Sequence, residues 1–253
     1  MSPHHQESVR LALPSAGALQ VEVSFADKFP DGAVLFVHGF GSNRKGEKPK
    51  ALEAACRKRG WTFVTFDFRG HGDSTGTLLE LLGSGLLEDL EMVRSHLATR
   101  GIRRLCLVGS SMGGWASAWF TLRHPETVEA CVFIAPAVDF LRGRWARLTE
   151  AERQHWKQTG RLRVRNEWLD TEIGYGLVEE MDLLPVERLA AEWSRPLLIF
   201  HGMKDDTVPY TQSLSFVEQT AYPEVELRLF KNGDHRLLAF KDVMAEAACD
   251  FFA

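Results

Sequence analysis

Cysteine is scarce: four residues in 253, Cys56, Cys106, Cys131 and Cys249, with no C-x-x-C pair among them. This spacing excludes a disulfide scaffold, leaves no Cys/His zinc motif, and points to small buried thiols in a reducing compartment. No run approaches the roughly 18 apolar residues of a membrane-spanning helix. The opening MSPHHQESVR has no apolar core of a secretory signal, so a cytoplasmic location is expected. An excess of basic residues is absent too: 30 Lys and Arg face 34 Asp and Glu, for a net charge of −4. A nucleic-acid partner is therefore not expected. Repeats, low-complexity tracts and Ser/Gly linkers are also missing. The remainder is an ordinary globular composition, 45% hydrophobic and 25% charged. A chain of this length buries roughly 70–75% of its unfolded surface and needs no metal or disulfide to hold it together.

Short apolar strands alternate with helical patterns almost to the end, which predicts an α/β fold on a mostly parallel sheet. The stretch ESVRLALPSAGALQVEVSF alternates with period two around Pro14–Gly17 and reads as an antiparallel hairpin. AVLFVHG at 33–39 is a continuous apolar run ended by glycine, as a strand covered on both faces should be. A helix at 49–60 stopped by Gly60 follows, then WTFVTFDF as a strand and a helix at 86–99. RRLCLVG, EACVFIAP, PLLIFHG and VELRLF continue the strands, with a helix from Ser111 to His124 and a last one from about Lys241. The rhythm breaks once, between about 139 and 195, where Arg, Trp and Glu accumulate around helical pieces near 149–159 and 186–192. That gap is too long for a simple connection. The expectation is one domain over 1–253 with a small cap inserted at about 139–195.

The strongest chemical signal is GSSMG at 109–113, a G-x-S-x-G centred on Ser111. It lies between a predicted strand and a helix that begins at once, the strand–turn–helix context that lifts a nucleophilic serine above a sheet. Only small residues fit beside so tight a turn, hence Gly109 and Gly113. A helix N-cap is the plain alternative for such a serine, and Ser110 suits it better. A serine hydroxyl needs a base, and the base an orienting carboxylate. HGMKDDTVP (201–209) and NGDH (232–235) each follow a strand and fall at its carboxyl edge, which makes His235 the base and Asp205 the acid. Asp206 competes, but the usual spacing in folds with this serine turn puts the acid three residues before the Val of a Val-Pro pair, and Val208–Pro209 then selects Asp205. Asp234 reads as a loop-shaping residue, and the other histidines as tail, anchor or surface positions. Acyl chemistry also needs two N–H donors on the oxyanion. The amide of Met112 follows the nucleophile, and HGFG (38–41) supplies the second through Phe40.

These segments resemble the α/β-hydrolases from about Gly32 to the C-terminus. Within them, GFGSN with KALEAACRKRG, FDFRGHGDSTG, GSSMGGW, HGMKDDTVP and GDHR are similar to a small-cap branch. That branch holds the mammalian mitochondrial acyl-protein thioesterase, which also cleaves acyl glucuronides, and its bacterial relatives. The resemblance implies Ser111 as nucleophile, Asp205 as acid, His235 as base and the Phe40 and Met112 amides as the oxyanion hole. It implies no metal and no organic cofactor, and a small-molecule acyl ester or thioester as substrate. Carboxylic ester hydrolysis is the leading expectation. Acyl-protein or acyl-CoA thioester cleavage by the same triad is the alternative, and peptidase activity or a silent binding protein is further off. The loop SNRKGEKPK is longer and more basic than the family pattern, and the 139–195 segment matches poorly. The resemblance thus carries the chemistry and not the substrate.

Two further features bear on substrate. From Phe140 to Asp170 there are eight basic residues against four acidic, and the loop after HGFG adds Arg44, Lys45, Lys48 and Lys50 against Glu47. A ring of such charge at a pocket mouth would draw anionic substrates, whereas charge paired along a solvated surface would not. Trp145, Trp156, Trp168 and Trp193 suit packing between cap and core better than an acyl pocket. Phe40 and Trp115, near the nucleophile, are the aromatics expected to face substrate, with filling of the helix–sheet interface as the alternative for Trp115.

Overall fold

The computed structural model describes residues 5–14, 16–29, 31–165 and 169–253. Eight strands form one sheet: β1 (Gln6–Ala12), β2 (Ala18–Ser24), β3 (Gly32–Val37), β4 (Phe63–Phe66), β5 (Arg104–Ser110), β6 (Val128–Ile134) and, late in the chain, Leu197–Gly202 and Val225–Phe230. Between these last two and β6, Arg161–Arg165 (β7) and Asp170–Gly174 (β8) pair as a separate antiparallel hairpin, so the late strands are β9 and β10. The sheet order is β1-β2-β4-β3-β5-β6-β9-β10. β1 and β2 are antiparallel to each other, β2 is antiparallel to β4, and every other neighbouring pair is parallel. This is the α/β-hydrolase fold expected from the sequence, hairpin included.

Alternation along β3 shows how the core is divided. Ala33, Leu35 and Val37 enter one apolar cluster and Val34 and Phe36 the other, all essentially without solvent exposure. A strand buried on both faces must be continuously apolar, and GAVLFV is. The Val34 face is covered by α1 (Glu47–Arg59) and by the helix Lys241–Phe251, the last of the chain. The Leu35 face is covered by α2 (Gly83–Thr99) and α3 (Met112–Arg123). Gly60 ends α1 in the left-handed conformation at φ 71°. All four cysteines are buried and free, and among the described residues no helix is long and apolar enough to cross a membrane.

The chain from β6 to β9 folds as α4 (Phe140–Ala146), α5 (Glu150–Thr159), the β7–β8 hairpin, α6 (Gly176–Glu179) and α7 (Val186–Ala191). α8 (Thr211–Gln219) and α9 (Lys241–Phe251) complete the set. The hairpin is absent from the sequence reading because RLRVR carries arginine at every second position, with only Leu162 and Val164 turned inward. Trp145, Trp156 and Tyr175 pack on one another with ring centroids 5.9–6.3 Å apart. Trp193 packs edge-on to Phe133 and Phe216. These tryptophans stabilise packing between elements; Trp168, like His4, lies outside the described residues.

Trp115 corrects one expectation. It is 1% exposed within the α2–α3 side of the core, tilted against Phe140 at 5.9 Å, and lines neither cavity beside Ser111. Three buried neighbours in a row, Gly114, Trp115 and Ala116, show why: α3 is surrounded, so proximity in sequence to the serine does not bring exposure to substrate. Trp115→Ala should therefore lower stability by about 3–5 kcal/mol, read as a shift of the urea midpoint.

Candidate active site

The site begins with a backbone turn. Ser111 sits between the last residue of β5 and the first of α3 at φ 53°, ψ −116°, a conformation that costs about 1–3 kcal/mol for a residue with a side chain. A Cβ at Gly109 would come within 2.6 Å of the Gly113 carbonyl oxygen, and one at Gly113 would overlap the Val37 and His38 carbonyl oxygens. The turn is pinned from outside as well. The Ser111 amide donates to Ile134 O at 2.9 Å, and Ser111 O accepts from the amides of Gly114, Trp115 and Ala137 at 2.9–3.2 Å.

Two loops reach this point. Ser111 Oγ donates to His235 Nε2 across 3.1 Å, and His235 Nδ1 donates to Asp205 Oδ2 across 2.7 Å. The structure thus brings Ser111, Asp205 and His235 into one continuous chain, from the loops after β5, β9 and β10. Asp206 is exposed and, among the described residues, accepts only from its neighbour Thr207 Oγ1 at 3.2 Å. Asp234 turns away, accepting from the Leu237 amide at 2.8 Å.

Asp205 is held by more than His235. Its Oδ1 accepts from the amides of Thr207 and Val208 at 2.9 and 2.7 Å, and its Oδ2 accepts from His201 Nε2 at 3.1 Å. Burial alone would push this carboxyl up, but the hydrogen bonds from His201 and His235, the His235 charge and the Val208 amide together hold it well below the usual carboxylate range. His201 is fully buried, shares its Nε2–H with Val208 O at 2.9 Å, and accepts at Nδ1 from Ser213 Oγ at 2.8 Å. Sequence reasoning passed over it as an anchor; its position four residues before Asp205, at the end of an apolar strand, is the signal that places it there.

The turn after β3 carries Phe40. His38 fixes it: buried, it accepts at Nε2 from the Phe68 amide at 3.0 Å and donates from Nδ1 to Gly39 O at 2.8 Å. Burial and the nearby His71 push His38 down to about 3, so it stays neutral. Met112 opens α3, whose amino end carries partial positive charge beside Ser111. Lys48 was counted in the sequence only as loop charge. Its Nζ donates to Ser110 Oγ at 2.8 Å and to Arg236 O at 3.1 Å, tying the serine turn to the histidine loop. Burial, then the Arg236 charge, bring Lys48 down to about 8 against the pull of Asp234 and Asp205.

Two cavities meet at Ser111, Phe40 and His235. The smaller, about 200 Å³, lies between the β3 turn, the start of α1 and Leu169. The larger, about 530 Å³, lies between α4 and the loop after β9. The basic residues counted in the sequence divide accordingly. Arg142, Arg161 and Arg163 pair with Asp182, Glu172 and Asp170. Arg44 is buried against Asp67, and Lys45 pairs with Asp73. Arg144, Arg147 and Lys48 are the members of those two groups that line the cavities. Among the described residues no group of three His, Cys, Asp or Glu side chains is placed to hold a metal ion.

Residues 32–166 match the family model for the alpha/beta hydrolase fold. The chain is 30% identical over 213 residues to the mitochondrial palmitoyl-protein thioesterase ABHD10 of Mus musculus, covering 83% of this chain and 71% of that protein. The crystal structure of a putative hydrolase from Agrobacterium vitis S4 superposes with a TM-score of 0.89 at 25% identity, over 99% of this chain and 100% of that one. Mouse alpha/beta hydrolase domain-containing protein 10 superposes with a TM-score of 0.85 at 26% identity, over 97% and 98%.

The hydrogen bonds on Asp205 make a testable statement about pH. A carboxyl held low in the folded state contributes stability above its unfolded value of about 3.9, and loses it as pH falls through the folded value. His201→Leu removes one donor and lets the carboxyl rise, so the variant should be less stable by about 1–3 kcal/mol at pH 7. The gap should narrow below about pH 4. Urea titrations at several pH values measure it; a gap independent of pH would reduce His201 to packing.

Proposed function

The chain belongs to the α/β-hydrolase family, and from that premise we propose that it hydrolyses carboxylic esters through an acyl-enzyme on Ser111. The observation that carries this reading is the unbroken chain of hydrogen bonds from Ser111 Oγ through His235 to the buried carboxylate of Asp205, opening on two cavities. Ser111 Oγ attacks the acyl carbon while His235 Nε2 takes its proton. Asp205, ionised throughout the neutral range, keeps the Nδ1–H tautomer and stabilises the imidazolium. Charge developing on the acyl oxygen is met by the Met112 and Phe40 amides, each such donor contributing about 10²–10³ in rate. His235 passes the proton to the leaving group, then activates the water that cleaves the acyl-enzyme. Every step uses protein groups alone. The segment from Phe140 to Ala191 serves as a cap over the larger cavity within a single domain.

A thioester substrate is the second reading, favoured by the 30% identity to a palmitoyl-protein thioesterase. The same residues perform it, because only the leaving atom changes from oxygen to sulfur. A silent binding protein is disfavoured, since a binding role does not require a serine hydroxyl, an imidazole and a buried carboxylate in one hydrogen-bonded chain.

Hydrolysis of p-nitrophenyl esters from acetate to palmitate, and of matching acyl thioesters, by wild type and Ser111→Ala decides between these. Wild type should turn over, with kcat/KM in Ser111→Ala lower by on the order of 10⁴ or more. Equal rates from both proteins would remove Ser111 as nucleophile. The ratio of thioester to ester turnover assigns the leaving group.

A further inference from the structure

Arg144 stands apart from the other arginines of its segment, each of which has a carboxylate or carbonyl oxygen as partner. Arg142 meets Asp182 at 2.9 Å, Arg163 meets Asp170 at 2.7 Å and Arg188 meets Glu192 at 2.8 Å, all at the surface. Among the described residues no carboxylate lies within 4.0 Å of the Arg144 guanidinium. It is half-buried on α4, lies over the Phe40 ring at 5.4 Å, and lines the larger cavity together with Ser111. Burial, then the neighbouring Arg147 charge, pull it down to about 10. A guanidinium that loses part of its water with no acid beside it among the described residues is a cost to the fold. Here it faces a cavity and sits across the aromatic ring that borders the nucleophile.

The other charges on that cavity are engaged or peripheral. Arg147 donates to Thr207 O, in the loop that carries Asp205. Lys204 and Arg236 are exposed at the rim. Asp234 is turned to the Leu237 amide and Asp206 to Thr207, while burial pushes the Asp139 carboxyl up against the pull of Arg142. Among the described residues, the carboxylates of this cavity therefore do not pair with the guanidinium. We infer that Arg144 is an anchor for a carboxylate or phosphate borne by the substrate, so that the larger cavity selects esters carrying one anionic group. A planar guanidinium pairs such oxyanions through two parallel N–H donors. The inference rests on the serine-hydrolase reading and narrows its substrate class.

Two pairs of esters test it and distinguish where the anion is carried. In one pair the acyl part differs: p-nitrophenyl valerate against mono-p-nitrophenyl glutarate. In the other the leaving group differs: methyl 4-acetoxybenzoate against 4-acetoxybenzoate. Wild type, Arg144→Gln and Arg144→Lys are compared by the ratio of kcat/KM for the anionic over the neutral member. Because each ratio is taken within one enzyme, partial unfolding or a disturbed Phe40 turn cancels. The ratio should fall at least tenfold in Arg144→Gln for one pair, recover in part in Arg144→Lys, and decline with salt in wild type. The pair that responds assigns the anion to the acyl or the leaving side. Unchanged ratios in Arg144→Gln, or a wild type that prefers the neutral member of both pairs, would overturn the anchor while leaving Ser111-dependent hydrolysis of neutral esters intact. Absence of any Ser111-dependent hydrolysis by wild type would overturn the underlying reading, and the anchor with it.

Discussion

The backbone reversal at Ser111 is the constraint on which the remaining geometry depends. To turn from β5 directly into α3, the chain must pass one residue through positive φ and bring the Gly109 and Gly113 backbones closer to their neighbours than any Cβ allows. That strain persists because its surroundings leave no alternative. β5 lies between β3 and β6 in the middle of the sheet, and the Ser111 amide and carbonyl are both bonded to the chain at the end of β6. Raised in this way, the hydroxyl stands where parallel strands end and their loops converge. Asp205 and His235 then need only reach a fixed point from the ends of β9 and β10, which are neighbours in the sheet.

Around that point four ionisable groups lose water, and each is stabilised differently. Asp205 gathers donors from two histidines and two amides and keeps its charge. His38 has the opposite outcome: with an N–H to accept and a carbonyl to donate to, it gives up its charge and fixes the Phe40 turn. Lys48 spends its donors on Ser110 and Arg236 O and holds two loops together. All three are satisfied by the protein. Among the described residues, Arg144 alone of the four has only an aromatic face, and this contrast, more than its charge, is what supports the inferred anchor.

The strands, the serine turn and the loops bearing Asp205 and His235 were legible in the sequence because each is signalled locally. A continuous apolar run reports burial on both faces, glycines flanking a serine report a tight turn, and an acid just past a buried strand reports its loop. What could not be read depends on residues distant in sequence. RLRVR alternates as a strand, but five residues with arginine at every second position do not stand out in a segment already rich in charge while the partner strand is unknown. Trp115 looked exposed by its nearness to Ser111, yet α3 is enclosed by α2 and Phe140. The pairing of Arg142, Arg161 and Arg163, and the isolation of Arg144, follow from which acids the fold brings near.

The burial of Trp115 nonetheless matters to the cavity. It lies one turn into the helix that begins at the nucleophile, and its indole packs on Phe140, the first residue of the short helix that carries Arg144. The distance from the reacting hydroxyl to the guanidinium is thus set by a packed aromatic contact in the core and not by a loose loop. Close-packed interiors transmit position with little slack. Behind α4, Trp145, Trp156 and Tyr175 form a second aromatic cluster that fixes its far end. On the proposed reading, the sheet determines where the bond is broken, while a separately packed segment determines what is held beside it. Such an arrangement allows the substrate preference to change through α4 and its neighbours without disturbing the turn at Ser111.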